Sequence, residues 1–248
     1  MGLFKYFTAR DYHIKAFDDQ KLFFSFPKAF NDCFDTSSIL YDNFPKFCAK
    51  MGWTHKEMIP NIDNHGICCF TKAKEADSLR MWNLYANGMD GFALEFDENV
   101  LTHPDLMSVH LLPVRYRKHV LDLDNEKTHF RIEGERFCIG DITRYSTKEL
   151  DRLFEYLHVC KERNQWSCEN ELRMIIGEQI TARGIDLVDK GYRLTLPRMP
   201  YKSLTIGFKV SDGNEQVLRQ IAKKYGISVR KAFPCIVNKK MGVRLRLL

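Results

Sequence analysis

Short apolar runs bounded by turn formers recur along the chain, and most are of strand length. Residues 3–8 (LFKYFT) and Lys21–Phe26 (KLFFSF) read as strands either side of a polar segment of helical character, DYHIKAFDDQ, and Pro27 closes the second. KAFNDCFDTSS is turn-rich, and residues 42–60 read as helical until Pro60 and Asn61 break the pattern. Gly66–Thr71 (GICCFT) has buried-strand character, Ser78–Ala86 is helical with Met81, Trp82 and Tyr85 at i, i+1 and i+4, and Gly91–Phe96 (GFALEF) is a strand. Pro113–Lys118 (PVRYRK) reads as one strand. Residues 146–163 read as the longest helix, with Leu150, Leu153, Phe154, Leu157 and Cys160 on one stripe. Leu172–Gly177, Tyr192–Leu196 and Ser203–Phe208 are strands, Asn214–Tyr225 is a helix ending near Gly226, and Ile227–Ala232 is a last strand. Residues 119–145 carry the weakest periodicity and read as an insertion or lid. Together these elements predict one α+β domain over residues 1–248, a mixed, mostly antiparallel β-sheet core flanked by helices.

A chain of 248 residues buries enough apolar surface to be stable without covalent staples. Its eight cysteines, at 33, 48, 68, 69, 138, 160, 168 and 235, form no CxxC pair and no Cys/His spacing of a zinc site, so reduced thiols, no metal and a cytoplasmic location are expected. The opening MGLFKYFTARDYHIK is too short and too polar for a secretory or membrane segment, and no apolar run spans a bilayer, so no membrane partner is expected. Lys plus Arg number 38 against 32 Asp plus Glu, and the excess gathers towards the end, at Arg219, Lys223, Lys224, Arg230, Lys231, Lys239, Lys240, Arg244 and Arg246. That region is either a solvated basic face or a surface for an anionic partner.

Three motifs carry candidate chemistry. In Phe30-Asn31-Asp32-Cys33-Phe34-Asp35 the adjacent Asn and Asp favour a turn that the two Phe rings pin to the core, or else present an Asp to a site. In Met81–Ala86 with Gly91–Asp97, Trp82 and Tyr85 share a helix face; both have polar tips and rings able to stack on a planar ligand, and both equally suit a core. In Trp166–Arg173, an extended chain puts Leu172, Met174 and Ile176 towards the core and Glu169, Glu171 and Arg173 on the opposite face. Two carboxylates and a guanidinium so placed are either paired with one another or line a cleft.

Taken in order, Phe30–Asp35, Cys69-Phe70-Thr71, Met81–Tyr85 with Gly91–Asp97, Val114-Arg115-Tyr116 and Trp166–Arg173 resemble the successive signatures of the bacterial family named domain of unknown function 2971, over residues 3 to 210. Cys33 stands where that family's turn has proline. The family in turn resembles ADP-ribosyltransferases, which move ADP-ribose from NAD to an acceptor on a split sheet. By that resemblance Lys5 or Tyr6 takes the place of a first-strand His or Arg, Tyr85 that of a middle Ser or Tyr, and Glu169 with Glu171 that of a Glu-x-Glu pair. Lys5 lacks the planar fork that orients a ribose or diphosphate, and Arg10 or Arg80 is an alternative.

The resemblance implies NAD as substrate and no metal. Glu171 would hold the ribose hydroxyl beside the developing cation, Tyr85 or Trp82 would stack on nicotinamide, and Glu169 would orient the acceptor. Lys5, Tyr6, Trp82, Arg173, Asn31 and Asp32 would line the nucleotide site. Such a protein is an NAD-dependent ADP-ribosyltransferase, a toxin or phage-defence effector with a protein or nucleic-acid acceptor. Two alternatives stand: a nucleic-acid-binding or nucleolytic protein in which Asp32, Asp35, Glu169 and Glu171 gather a divalent ion, and a non-catalytic nucleotide-binding module.

Overall fold

The computed structural model describes residues 1–30, 49, 52, 65–102, 106, 109–117, 127, 129–132, 134–162, 166–176, 184–196 and 198–248. The segment read as helical over 42–60, and Asn31, Asp32 and Asp35, lie almost entirely or wholly outside these residues. Eleven strands join in one sheet. Its main path runs β11 (Ile185–Val188), β12 (Gly191–Thr195), β2 (Lys21–Ser25), β3 (Gly66–Ala73), β1 (Gly2–Thr8), β4 (Gly91–Phe96), β13 (Tyr201–Gly207), β14 (Ser228–Val237), β15 (Lys240–Leu247). Off this path, β10 (Glu171–Ile176) pairs with β3 and with β5 (Val109–Pro113). Every pair in this sheet is antiparallel except β13 and β14. A parallel pair needs a long crossover, here helix α4 (Asp212–Tyr225). The mixed, mostly antiparallel α+β architecture is the one the sequence predicts.

The sheet branches at β3. Residues 66–71 of β3 pair with all of β10, Ile67 meets Ser25 of β2, and Thr71–Ala73 pair with Gly2–Phe4 of β1. Beyond Phe4, β1 leaves β3 and stays with β4, so the sheet divides into two wings. Strand alternation sorts side chains onto two faces. On one face Leu3, Phe92, Leu94, Phe96, Leu172, Met174 and Ile176 pack with Leu218, Ile221 and Ala222 of α4 and with Ile14 and Phe17 of α1 (Asp11–Asp18). On the other, Phe4, Tyr6, Ala93 and Ala232 pack with Met81 and Trp82 of α2 (Leu79–Tyr85).

Capping chemistry sets the helix ends. The Ser78 hydroxyl accepts from the Met81 amide at 3.4 Å and starts α2. Ser211 does the same for α4, with Asp212 and Glu215 in its first turn, and Gly226, at φ +65°, ends it in the left-handed conformation.

The structure corrects four readings. The run 113–118 is two pieces, β5 and β6 (Arg115–Arg117), divided at Val114, because β5 joins the main sheet while β6 pairs in parallel with β9 (Cys160–Glu162). The helix read over 146–163 is α3, Thr147–Leu157, and Cys160 belongs to β9; the longest described helix is α4. The described part of 119–145 holds a hairpin of β7 (His129–Ile132) and β8 (Glu135–Cys138) followed by a 3-10 helix, so it is more regular than its composition implies. The chain ends in a long hairpin, β14–β15, not a single strand.

Trp82 has no exposed surface; its indole N–H donates to the Ala76 carbonyl at 2.8 Å, and the Tyr6 ring stands edge-on 5.3 Å away. Both residues are therefore packing residues, which differs from a ligand-lining role. Trp82→Ala should lower the unfolding free energy by about 3–5 kcal/mol in chemical denaturation, the usual cost of deleting a buried aromatic.

Candidate functional site

Glu171 begins β10, a strand buried along its whole length. Leu172, Met174 and Ile176 join the core with α4, and alternation leaves Glu171 and Arg173 on the other face, yet still buried. A lone charge there would cost several kcal/mol, so each must find a partner. The Arg173 guanidinium has no exposed surface and grips Glu171 with two hydrogen bonds, Nε to Oε1 at 2.8 Å and Nη2 to Oε2 at 3.2 Å. Its third arm donates to the His158 carbonyl at 2.6 Å, and the Phe30 ring lies 5.7 Å from its carbon centre.

Lys161, from the middle of β9, completes the cluster. Its Nζ donates to Glu171 Oε2 and to Glu169 Oε2, both at 3.0 Å, and lies 4.7 Å from the centre of the Trp166 ring. Glu169 is not on the strand: it ends a 3-10 turn, Ser167–Glu169. Asn170 follows at φ +44°, a left-handed conformation that Asn tolerates better than most residues. Its side-chain amide donates to the Lys72 carbonyl at 2.5 Å and its own carbonyl accepts from the Lys72 amide at 2.9 Å, which fixes the turn against β3. The two carboxylates meet through this reversal, where simple alternation would have left them two strand positions apart.

Two tyrosines border the acids. Tyr85, at the end of α2 and 38% exposed, donates to Glu169 Oε1 at 2.6 Å. The Tyr116 hydroxyl, from β6, accepts the Glu171 amide at 2.9 Å. Burial, followed by the charge of Glu169, raises the Tyr85 phenol well above the usual tyrosine range, so it stays a donor. Burial, with the charges of Glu171 and Glu169, pushes Tyr116 up to about 12. For Glu171 burial acts upward, but Arg173, Lys161 and a hydrogen bond from Cys69 outweigh it and hold the carboxyl at about 2.

Comparison of the chain with protein-family models, with curated proteins and with solved structures finds no match. The site is therefore read from its own geometry. Glu171, Glu169, Arg173 and Tyr85 come together. Lys5 stands at the divergence of β1 and β3: its ammonium donates to the Cys69 carbonyl at 3.1 Å and lies 5.7 Å from the centres of the Phe7 and Phe70 rings. It feels the charge of Glu171 but is bonded elsewhere. Tyr6 and Trp82 belong to the packing described above, and Asn31 and Asp32 lie outside the described residues. Among the described residues no group of three or more His, Cys, Asp or Glu is placed to hold a metal ion. Burial pushes the Cys68 and Cys160 thiols up, the latter to about 11, so both are protonated.

Sequence reasoning missed Lys161 and His158. Cys160 follows Leu157 at helical spacing, which hid a strand of three residues. His158 is fully buried, with neither ring nitrogen hydrogen-bonded among the described residues and its ring 4.9 Å from that of His65. Burial, His65 and Arg173 hold it well below its ordinary value, so it is neutral.

Both shifts fix the sign of an acid response. A group whose pKa is lowered by folding adds stability that is complete above its unfolded value and is lost as pH falls. His158 makes the protein lose stability from about pH 6.5 downwards, and Glu171 adds a second loss, on the order of 3 kcal/mol, between about pH 4.5 and 2. Half-buried His13, lowered in the same way, contributes to the upper limb. Denaturation measured from pH 8 to 3 should show both limbs. His158→Leu should flatten the upper one, and Glu171→Gln should flatten the lower while costing about 3–5 kcal/mol at pH 7 because buried Arg173 loses its carboxylate counter-charge.

Proposed function

We propose that the protein is an NAD-dependent ADP-ribosyltransferase whose reactive carboxylates are Glu171 and Glu169. The observation that carries this reading is the Tyr85–Glu169 hydrogen bond at 2.6 Å, which ties a partly exposed aromatic to a carboxylate pair 84 residues away in sequence. Tyr85 offers a ring to a planar nicotinamide at the surface, and its hydroxyl leads to the acids behind it. In the reaction the bond from ribose to the nicotinamide nitrogen breaks, with its electron pair leaving on nicotinamide. A lone pair of the acceptor forms the new bond to the same ribose carbon, and the acceptor's proton passes to Glu169. Glu171, ionised at every physiological pH, contributes fixed negative charge near the ribosyl cation.

A second reading, a nucleotide-binding module without chemistry, is favoured by the charge balance. Lys161 and Arg173 already offset the two carboxylates, which leaves little net field for a cation. Incubating the pure protein with NAD labelled in the adenylate half, in the presence of a cell lysate, separates the two. The first reading expects transferred label and free nicotinamide. Tyr85→Phe should keep the fold and slow turnover about tenfold, and Glu171→Gln, assayed where it is folded, should slow it by about 10²-fold or more. Saturable NAD binding with no nicotinamide release would establish the module instead, and neither binding nor release would reject both.

A further inference from the structure

The C-terminal hairpin stands apart from the carboxylate cluster. Residues 228–232 of β14 pair with β13, but β14 and β15 continue together to the Val237–Lys240 pair, so the hairpin projects beyond the sheet and β15 forms its edge. Its two faces differ. Ala232, Val243 and Leu245 turn towards α2 and the Trp82 core, and the same alternation puts exposed Ile236 and Met241 on that side at the tip. The opposite face, adjoining α4, carries Lys240, Arg244 and Arg246 at alternating positions, all exposed, with no ion pair among the described residues. Arg246 lies opposite Lys231, and Arg244 opposite Phe233. Lys231 reaches Glu215 of α4, which also accepts two hydrogen bonds from exposed Arg219.

We infer that this face of the hairpin, with the adjoining edge of α4, binds the backbone of a single-stranded nucleic acid. Five cations, Lys240, Arg244, Arg246, Lys231 and Arg219, share this face; Glu215 pairs with the last two, and the other three form a basic stripe along β15 that a polyanion neutralises. Cations two residues apart on one strand face are about 6.7 Å apart, in a row that follows an extended chain. The Phe233 ring beside Arg244 gives unstacked bases a surface, a feature a duplex, with its bases enclosed, cannot use. A second copy fits worse: antiparallel pairing of two β15 strands sets the cations of both on one face. An anionic membrane would take the apolar tip, which points away from the basic face.

The test is fluorescence anisotropy of a labelled 20-nucleotide single strand, a duplex of equal length and phosphatidylserine-containing vesicles, from 50 to 200 mM salt. The single strand should bind most tightly, and its affinity should fall with salt. Lys240→Ala/Arg244→Ala/Arg246→Ala should bind at least tenfold more weakly and reduce the log–log salt slope by about 2, three contacts at about 0.7 each. Arg193→Ala, an exposed position of β12 towards the far end of the sheet, should bind like the wild type with an unchanged slope. Phe233→Ala should weaken the single strand and spare the duplex. Undiminished binding by the triple variant, a preference for duplex or for vesicles, or no binding at 50 mM salt would overturn the inference.

Discussion

The two hydrogen bonds between Arg173 and Glu171 are the constraint on which the rest of the site depends. β10 is buried on both faces, so a guanidinium and a carboxylate two residues apart would each carry a large desolvation cost if separated. Held together, they present Glu171 Oε2 to Lys161 as well, whose ammonium in turn reaches Glu169 and, through it, Tyr85. One pairing thereby orders side chains from α2, β9, the turn before β10 and β10 itself. A cluster made this way is rigid because no member can leave without exposing another buried charge.

The carboxylates at the centre are not equivalent. Glu171 is gripped on both oxygens and is fixed as an anion. Glu169 shares one oxygen with Lys161 and the other with a tyrosine that reaches the surface. Tyr85 is partly exposed, whereas both carboxylates are buried. One carboxylate is thus joined to a side chain that reaches the surface, the other to two buried cations.

Most sheet strands are legible in the chain because a short apolar run between breakers has few other readings; Gly66–Ala73, Gly91–Phe96 and Tyr201–Gly207 are of this kind. The pairing of Glu171 with Arg173 is legible too, since alternation alone places them together. What escapes has physical causes. β9 is three residues long and follows a helix whose spacing it happens to continue. β15 does alternate, with Met241, Val243, Leu245 and Leu247 against Gly242, Arg244 and Arg246, but its charge draws the eye to a basic tail before its periodicity is read. The return of Glu169 to Glu171 depends on one left-handed Asn, a conformation that local spacing does not encode.

The branching of β3 has a consequence for how the chain reaches this structure. β1, β3 and β4 all lie within the first 96 residues, but the other side of β3 waits for β10, where Glu171 joins Thr71 across one hundred residues. Closing so long a loop is entropically slow, so contacts of this separation form late in folding. During synthesis the amino-terminal strands therefore hold an open hydrogen-bonding edge until residue 176 has emerged. Glu171 and Arg173 stay in water until that edge is filled, so their desolvation comes with the docking of β10, and a wrong strand on β3 would bring no charged partner for Lys161.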